Sequence, residues 1–593
     1  MSKPKQSNYQ RYQSASWVWP AYYPAAQRVD PAHYRPIADW IGRLILPDRD
    51  QRDEERGCLL ELYHTAAGHE QWVGQTVRLR FACDSATQAR TWAVTRNVIF
   101  NQKAEQFVQA GLILAERVNR WRMVGPLESL AGSHPTDDLL VRLREPVVIE
   151  ATPADGGLPI LRIRREPVQI TGRYCGLVTF LGPADGGDDG FRIRHFNLAT
   201  RQFDGAEEVV QMPAVVANDD GIFPSTSAGI EQSPLNADGW YIYGAADPQG
   251  RFVVQAWAPR ALLRLAPQRV VTGQEAAWRY VRHEAWEGIA AQKGKLTSVL
   301  CAPQASTAET ALAEWRQGDR MLLLHLYAGI GGKQGEPETR GPIYFGHFAF
   351  GVAEVVHEPL ADELRLAITY YQIYTHNVDG LVAGALDWSR YQGDRQLGWV
   401  GSRPTCDILV KLDELNDLYQ VDGYDHSILD EIEVNLEQMA ARYRIGDGRG
   451  ATYVTAANNC AQDSSQAFYA ATISIRELVE TARDPATWRA AYPEQAERLD
   501  RVRAVGRDLR PKLVGGNARR NDWHYGVENL GIHENILRNL LRGLGTWRTV
   551  LPRKASDTYA EVFLQHGAAL WVLRTNQIGG WDPSIEPVPA WTF

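Results

Sequence analysis

The stretch YVTAANNCAQDSSQAFYAA, residues 453–471, changes from an extended run to helix-forming composition at a single cysteine. Asn458 and Asn459 stand directly before Cys460, and asparagine is favourable at a helix N-cap because its side chain accepts hydrogen bonds from free backbone N–H groups. The residues that follow, including Phe468, place apolar side chains at helical spacing. The sequence therefore predicts a helix with Cys460 in its first turn.

A cysteine in the first turn of a helix has two ordinary interpretations. The helix dipole and the free N–H groups favour a thiolate and a developing oxyanion, as a nucleophile requires. Cysteine is also among the residues most often buried as a small apolar side chain. Without a partner residue, Cys460 is better explained as structural, so the catalytic interpretation depends on finding a base elsewhere.

A histidine suited to that role lies in YFGHFAFGVAEV, residues 344–355, a run typical of a buried strand. We take His347 as the candidate base. The next strand-like run ends with Gln372 and His376, and either side chain would hold the second imidazole nitrogen as the third member of a triad does. Equally, a strand histidine is often a satisfied core residue.

The connection ALDWSRYQGDRQLGWVGSRPTCD, residues 385–407, lies between the histidine strand and the cysteine helix. Its aromatic and charged residues are typical of a cleft wall, and they also suit a structural loop with internal Arg–Asp pairs. We leave both interpretations open. The candidate cleft residues are Trp388, Arg390, Asp394 and Trp399, with Asn459 beside the cysteine.

The order of a histidine strand, a polar residue on the next strand and an Asn-Cys pair opening a helix resembles the permuted papain-like cysteine hydrolases. That group includes lecithin–retinol acyltransferase-like enzymes, amidases and peptidases. The matching motifs are GHFAFGV, residues 346–352, and NNCAQDSSQAF, residues 458–468. The resemblance implies Cys460 as nucleophile, His347 as base, and Gln372 or His376 as third residue.

The whole chain also resembles a cyanobacterial family whose members are often labelled Abi/CAAX-type proteases. The stretches that carry this resemblance are 123–138, 346–355, 385–404 and 458–470. That label implies an intramembrane mechanism with Glu and His in transmembrane helices. No run of this sequence approaches the roughly 18 apolar residues that a membrane-spanning helix needs, so we do not expect that mechanism.

The composition limits the classes of protein to consider. The formal net charge of −8 argues against a general nucleic-acid binder, which usually carries a basic stripe. The six cysteines are scattered without a CxxC pair, so neither a zinc ribbon nor a disulfide framework is predicted. The N-terminus lacks the apolar core of a signal peptide. We expect a soluble, reduced, cytoplasmic protein with no metal and no cofactor.

Changes in sequence texture divide the 593 residues into five segments and predict an α+β fold. The expected fold has two β-rich N-terminal modules, a permuted papain-like core and a helical C-terminal region. In chain order the segments are an N-terminal arm at 1–36, a β-rich module at 37–150, a β-rich module at 151–270, a papain-like core with preceding helices at 271–483, and the helical C-terminal region at 484–593.

The function expected from these patterns is that of a cysteine peptidase or amidase, whose partner is a peptide or other amide substrate. Two alternatives stay open. One is a non-catalytic binding or scaffold protein with a papain-like core, and the other is a lipid acyltransferase that uses the same Cys-His chemistry. The sequence leaves the oligomeric state undecided.

Overall fold

The structure is a computed structural model of the chain. It describes residues 9–12, 14–51, 57–102, 104–105, 115–144, 146–150, 157–185, 189–218, 220–333, 335–336, 339, 344–373, 380–448, 459–482, 484–513, 551–580, 582 and 584–592.

Helix and strand contribute almost equally, at 33% and 32% of the residues, and the α+β class expected from the sequence is confirmed. Within the described ranges, none of the helices is both long enough and apolar enough to span a bilayer. The division into five segments stays a prediction.

The strands are numbered β1 to β27 in chain order. They are Tyr34–Pro36, Ile41–Ile45, Cys58–His64, Thr76–Phe81, Arg96–Val98, Trp121–Val124, Leu140–Arg142, Pro146–Glu150, Ile160–Ile163, Val168–Gln169, Tyr174–Pro183, Gly190–His195, Glu207–Gln211, Trp240–Ala246, Phe252–Pro259, Arg269–Thr272, Lys295–Ala302, Arg320–Tyr327, Gly329–Gly332, His347–Glu358, Glu363–Gln372, Gly384–Asp387, Pro404–Lys411, Tyr419–Val421, Tyr424–His426, Ala569–Asn576 and Ile585–Val588.

The α-helices are numbered α1 to α13. They are Tyr9–Tyr12, Ser85–Val94, Pro126–Ala131, Arg260–Leu263, Gln274–Arg282, Ala308–Ala313, Trp388–Tyr391, Asp413–Asn416, Ile428–Ile445, Cys460–Ala482, Pro485–Ala491, Pro493–Leu513 and Pro552–Gln565.

One large mixed sheet organises the molecule. Its fifteen strands pair in the order β16-β17-β26-β23-β18-β20-β21-β22-β10-β7-β2-β3-β4-β9-β8. Most neighbours are antiparallel, and β10 joins β22 through one parallel pair, Gln169 with Leu386. Strands from distant parts of the chain therefore share one sheet.

The central strands β18 and β20 are buried on both faces, which explains why their sequences are continuously apolar instead of alternating. On one face, Phe348 and Phe350 of β20 pack with the helices. On the other face, Ala353 and Val355 pack with the second sheet. In the antiparallel register of these two strands, Tyr327 lies opposite His347.

The helical layer rests on the first of these faces. It consists mainly of α9, α10 and α13, whose apolar residues share one core with the sheet. The ring of Phe468 in α10 lies 6.0 Å from that of Phe350, and the ring of Tyr559 in α13 lies 5.1 Å from it. These aromatic contacts fix α10 against β20.

The opposite face of the sheet is covered by a second sheet of six strands, β1-β11-β12-β13-β15-β14. Because β14 also pairs with β11, this sheet closes on itself as a small barrel. Large side chains such as Trp240, Trp257 and Phe180 fill its interior, where all three are buried.

The region after residue 484 contains α11, α12 and α13, and it adds two strands that the sequence analysis does not predict, β26 and β27. Strand β26, Ala569–Asn576, lies between β17 and β23 and pairs antiparallel with both. Its sequence, ALWVLRTN, is a short apolar run typical of a buried strand.

A buried carboxylate connects the β-rich N-terminal half, the central sheet and helix α9. Glu433 accepts hydrogen bonds from Arg144 at 2.8 Å, from Arg165 at 2.9 Å and from Arg320 at 2.5 Å. The Tyr371 hydroxyl donates a fourth, at 2.7 Å. Burial acts to raise the pKa of Glu433, but the three guanidinium groups outweigh it and lower the pKa to about 2.

Replacing this carboxylate is expected to destabilise the fold. Glu433→Ala leaves three arginines without their shared partner, which costs about 3–5 kcal/mol in the free energy of unfolding. Urea denaturation at pH 7 measures the loss, with the exposed Glu287→Ala as the matched control. An equal urea midpoint for the two variants would contradict the role given to Glu433.

The same group also predicts a pH dependence. Its pKa is lowered from 4.5 to about 2 on folding, so its contribution is fully present above about pH 4.5 and is lost as the pH falls towards 2. The stability difference between wild type and Glu433→Ala should therefore narrow across that window. A difference that does not change with pH would speak against this assignment.

Candidate active site

The cysteine helix begins where the sequence predicts. Cys460 is the first residue of α10, and the Asn459 side chain accepts a hydrogen bond from the backbone N–H of Gln462 at 3.0 Å. This is N-cap geometry, in which a side-chain oxygen satisfies one of the free donors of the first turn. Asn459 therefore defines the helix end at which the thiol sits.

The histidine strand begins at the candidate base. His347 opens β20 and is only 7% exposed. Gly346, directly before it, has φ of +78°, and a Cβ at that position would lie 2.6 Å from the Tyr327 carbonyl oxygen. Glycine suits this position because other residues rarely adopt that φ and the neighbouring strand leaves no room for a side chain.

Gln372, the last residue of β21, meets His347 as the sequence analysis proposes for the third residue. The Nε2–H of His347 donates a hydrogen bond to the Gln372 Oε1 at 2.5 Å. In a neutral imidazole this arrangement places the single ring proton on Nε2 and leaves Nδ1 unprotonated. The other candidate for the third residue, His376, lies outside the described residues.

The thiol of Cys460 lies against the same strand. The backbone N–H groups of Phe348, the residue next to His347, and of Ala461 and Cys460 act to lower the pKa of this thiol, which places its sulfur near the start of β20. The start of α10 and the start of β20 therefore meet at one place. Cysteine, histidine and glutamine come from three separate elements.

The electrostatics of the thiol differ from the expectation that a helix N-terminus lowers its pKa. Burial raises the pKa of Cys460 to about 11, and the three backbone N–H donors only partly oppose that effect. Cys460 as a residue is partly exposed, while its thiol group is buried. The resting thiol is therefore protonated at neutral pH, and desolvation is the larger of the two effects.

An aromatic cluster supports the imidazole. The Tyr327 ring stacks on His347 with centroids 4.9 Å apart and contacts Trp399 at 5.2 Å. The Arg403 guanidinium lies over both Tyr327 and Trp399, at 4.8 and 4.6 Å, and donates a hydrogen bond to Glu336 at 2.9 Å. Trp399, a cleft candidate, therefore contacts Tyr327, the ring that stacks on the histidine.

A buried polar network lies next to this cluster. His325 and Asp407 sit opposite each other on β18 and β23, with His325 Nδ1 at 2.5 Å from the carboxylate. The Tyr370 hydroxyl donates to the other carboxylate oxygen at 2.6 Å. The two residues are 82 positions apart in sequence, and the strand register brings them together.

The other cleft candidates stabilise the connecting loop. Trp388 is buried and donates its indole N–H to the Trp257 carbonyl at 3.3 Å. Arg390 pairs with Asp394 at 3.3 Å, the internal Arg–Asp pair of the alternative interpretation. Both residues of this pair line a cavity of about 60 Å³ against the N-terminal segment, which contributes Trp17.

Comparisons with protein-family models, with curated proteins and with solved structures find no match for this chain. The resemblances to papain-like hydrolases and to the Abi/CAAX-labelled family therefore stay hypotheses. Among the residues that the structure describes, no group of three or more His, Cys, Asp or Glu side chains is arranged to hold a metal ion.

The raised pKa of the thiol predicts how Cys460 reacts with iodoacetamide. Because only the thiolate is alkylated, the rate should rise about tenfold for each pH unit between pH 7 and 9. Peptide mass spectrometry measures it, with the exposed Cys83 as internal reference and the buried Cys58, Cys175, Cys301 and Cys406 as unreactive controls. A rate that is already constant below pH 7 would show a preformed thiolate and contradict the prediction.

Proposed function

We propose that the protein is a cysteine-dependent hydrolase that cleaves peptide or other amide bonds through a thioester on Cys460. The observation that carries the proposal is the hydrogen bond from His347 to Gln372, made on the strand whose next backbone N–H acts to lower the pKa of the Cys460 thiol. A nucleophile, a base and an orienting residue are the parts that such chemistry needs.

In the first step, the neutral thiol attacks the carbonyl carbon of the substrate. A carbon–sulfur bond forms, the thiol proton passes to Nδ1 of His347, and the carbonyl electron pair moves to oxygen. Gln372 keeps the imidazole in the required tautomer through its bond to Nε2. Because the pKa of Cys460 is about 11, proton transfer has to accompany attack instead of preceding it.

The later steps use the same residues in reverse roles. The carbon–nitrogen bond breaks, and the leaving amine takes its proton from the His347 imidazolium. A water molecule, deprotonated by the same imidazole, then attacks the thioester and releases the acid and the thiol. The N–H groups in the first turn of α10 are suited to hold the oxyanion, since Cys460 is the first residue of that helix and the first-turn N–H groups have no acceptor within it.

A second candidate is a non-catalytic binding or scaffold protein built on the same core. One observation favours it, because the raised pKa of Cys460 is also the behaviour of a buried structural thiol. The two candidates differ in whether His347 changes the reactivity of Cys460, and that difference is measurable.

His347→Ala is expected to lower turnover of p-nitrophenyl acetate, an activated ester probe, by about 10²–10⁴-fold because it removes the general base. The matched control is His357→Ala, a change on the same strand at a side chain that is 44% exposed. Cys460→Ser should abolish the acetyl-enzyme seen by intact mass. If the two variants, His347→Ala and His357→Ala, have the same turnover, the result favours the scaffold protein.

Gln372→Leu tests the orienting role separately. The variant removes one hydrogen bond to His347 Nε2 and retains the side-chain size, so the turnover should fall by up to about tenfold. The iodoacetamide rate at pH 9, where alkylation does not need the base, should change little. An unchanged turnover would show that Gln372 does not orient the histidine.

A further inference from the structure

A large cavity lies beside the ends of β20 and β21 that are remote from His347. Its volume is about 830 Å³, within the range of small-molecule sites. The paired segments 352–356 of β20 and 365–369 of β21 contribute to its wall. At roughly 3.3 Å per strand residue, Val352 is about 16 Å along β20 from His347. The cavity is therefore separate from the candidate active site.

Arginines are the most numerous charged side chains in the lining of this cavity. Six guanidinium groups line it, together with five carboxylates. Three of the carboxylates pair with these arginines, while Asp39 and Glu354 are exposed, where water screens their charge. Arginine is the preferred residue for binding carboxylate and phosphate groups. The arginines are Arg35, Arg142, Arg144, Arg165, Arg320 and Arg365.

Arg365 is held in position by two groups of the protein. Its Nε forms an ion pair with the Glu358 carboxylate at 2.6 Å, and its guanidinium lies 5.0 Å from the centre of the Tyr241 ring. Arg35 donates to the same carboxylate from Nε at 2.7 Å and from Nη2 at 2.5 Å. Glu358 is fully buried. Two guanidinium groups therefore share one carboxylate, which neutralises only one of their charges.

The outer nitrogens of Arg365 remain available to a ligand. Its Nη1 and Nη2 donate to none of the described residues, and its side chain is 12% exposed. Arg35 differs, because all three of its nitrogens donate to oxygens of Glu358 and of the Pro36 carbonyl. The two outer nitrogens of one guanidinium match two oxygens of a carboxylate or phosphate. Arg365 is thus the arginine suited to contact an anion.

The barrel supplies a further donor on the same side. Tyr243 of β14 lines the cavity, and its hydroxyl forms no hydrogen bond with the described residues. The strand register places Arg35, Cys175 and Tyr243 in one row across β1, β11 and β14. Residues directly opposite each other in neighbouring strands point to the same face. Tyr243 therefore shares a face with the arginine that binds Glu358.

We propose that this cavity binds a small molecule through an oxyanion, a phosphate or carboxylate group, which accepts hydrogen bonds from Arg365 and Tyr243. The site is a second one, independent of the proposed hydrolase function. Because Glu358 already fixes the Arg365 guanidinium, little side-chain freedom is lost when the anion binds.

Isothermal titration calorimetry of the full chain with pyrophosphate, and separately with succinate, tests the proposal and distinguishes the two kinds of oxyanion. Arg365→Lys keeps the charge and removes the paired donors, so the Kd should rise about 10–100-fold. Tyr243→Phe keeps the ring and should raise the Kd about fivefold. The matched control is Arg35→Lys, which alters the same Glu358 pair and leaves the outer nitrogens of Arg365 in place. Its Kd should stay within about twofold of wild type.

The proposal is supported if either probe binds wild type saturably and both site variants weaken binding while Arg35→Lys does not. Binding of one probe alone identifies the kind of oxyanion. The proposal is overturned if neither probe binds, if Arg365→Lys leaves the Kd unchanged, or if the two lysine variants weaken binding equally, since the effect would then come from the Glu358 pair. If Arg365→Lys lacks a cooperative urea transition, Tyr243→Phe decides.

Discussion

The packing of helix α10 onto strand β20 is the contact on which the candidate site depends. Phe468 meets Phe350 on the helical face of the sheet, and this holds the start of the helix at the start of the strand. Because successive strand residues point to opposite faces, Phe348 faces the helices while His347 faces the barrel side with Tyr327. The apolar interface therefore positions the start of α10 against β20, while pairing with β18 and the hydrogen bond to Gln372 position His347.

Two opposing effects act on the thiol, and their balance determines the chemistry. The first turn of a helix favours a negatively charged sulfur, but burial disfavours the charge more strongly. Cys460 is therefore a neutral thiol at neutral pH. A preformed ion pair between a Cys460 thiolate and a His347 imidazolium would require the effect of the helix N-terminus to exceed that of burial. Under the proposed hydrolase function, the charge develops only during attack, which places the catalytic demand on groups that stabilise the oxyanion.

Much of this site is encoded locally. The Asn-Cys pair before a helical run predicts the N-cap at Asn459, and the apolar run around His347 predicts a buried strand; both are confirmed. The remainder depends on strand register and burial. The contact of His325 with Asp407 joins residues far apart in sequence. Strand β26 is a short apolar run whose pairing partners the sequence does not identify. The pKa of Cys460 follows from neighbours that local sequence does not reveal.

Strand β26 also sets a condition on the order of events during synthesis. It separates β17 from β23, and the ribosome makes it more than a hundred residues after either of them. Until then both strands present open edges, which are templates for association with other chains. The sheet that carries His347 is completed only after residue 576 has emerged, so an incomplete nascent chain would lack an intact support for the site.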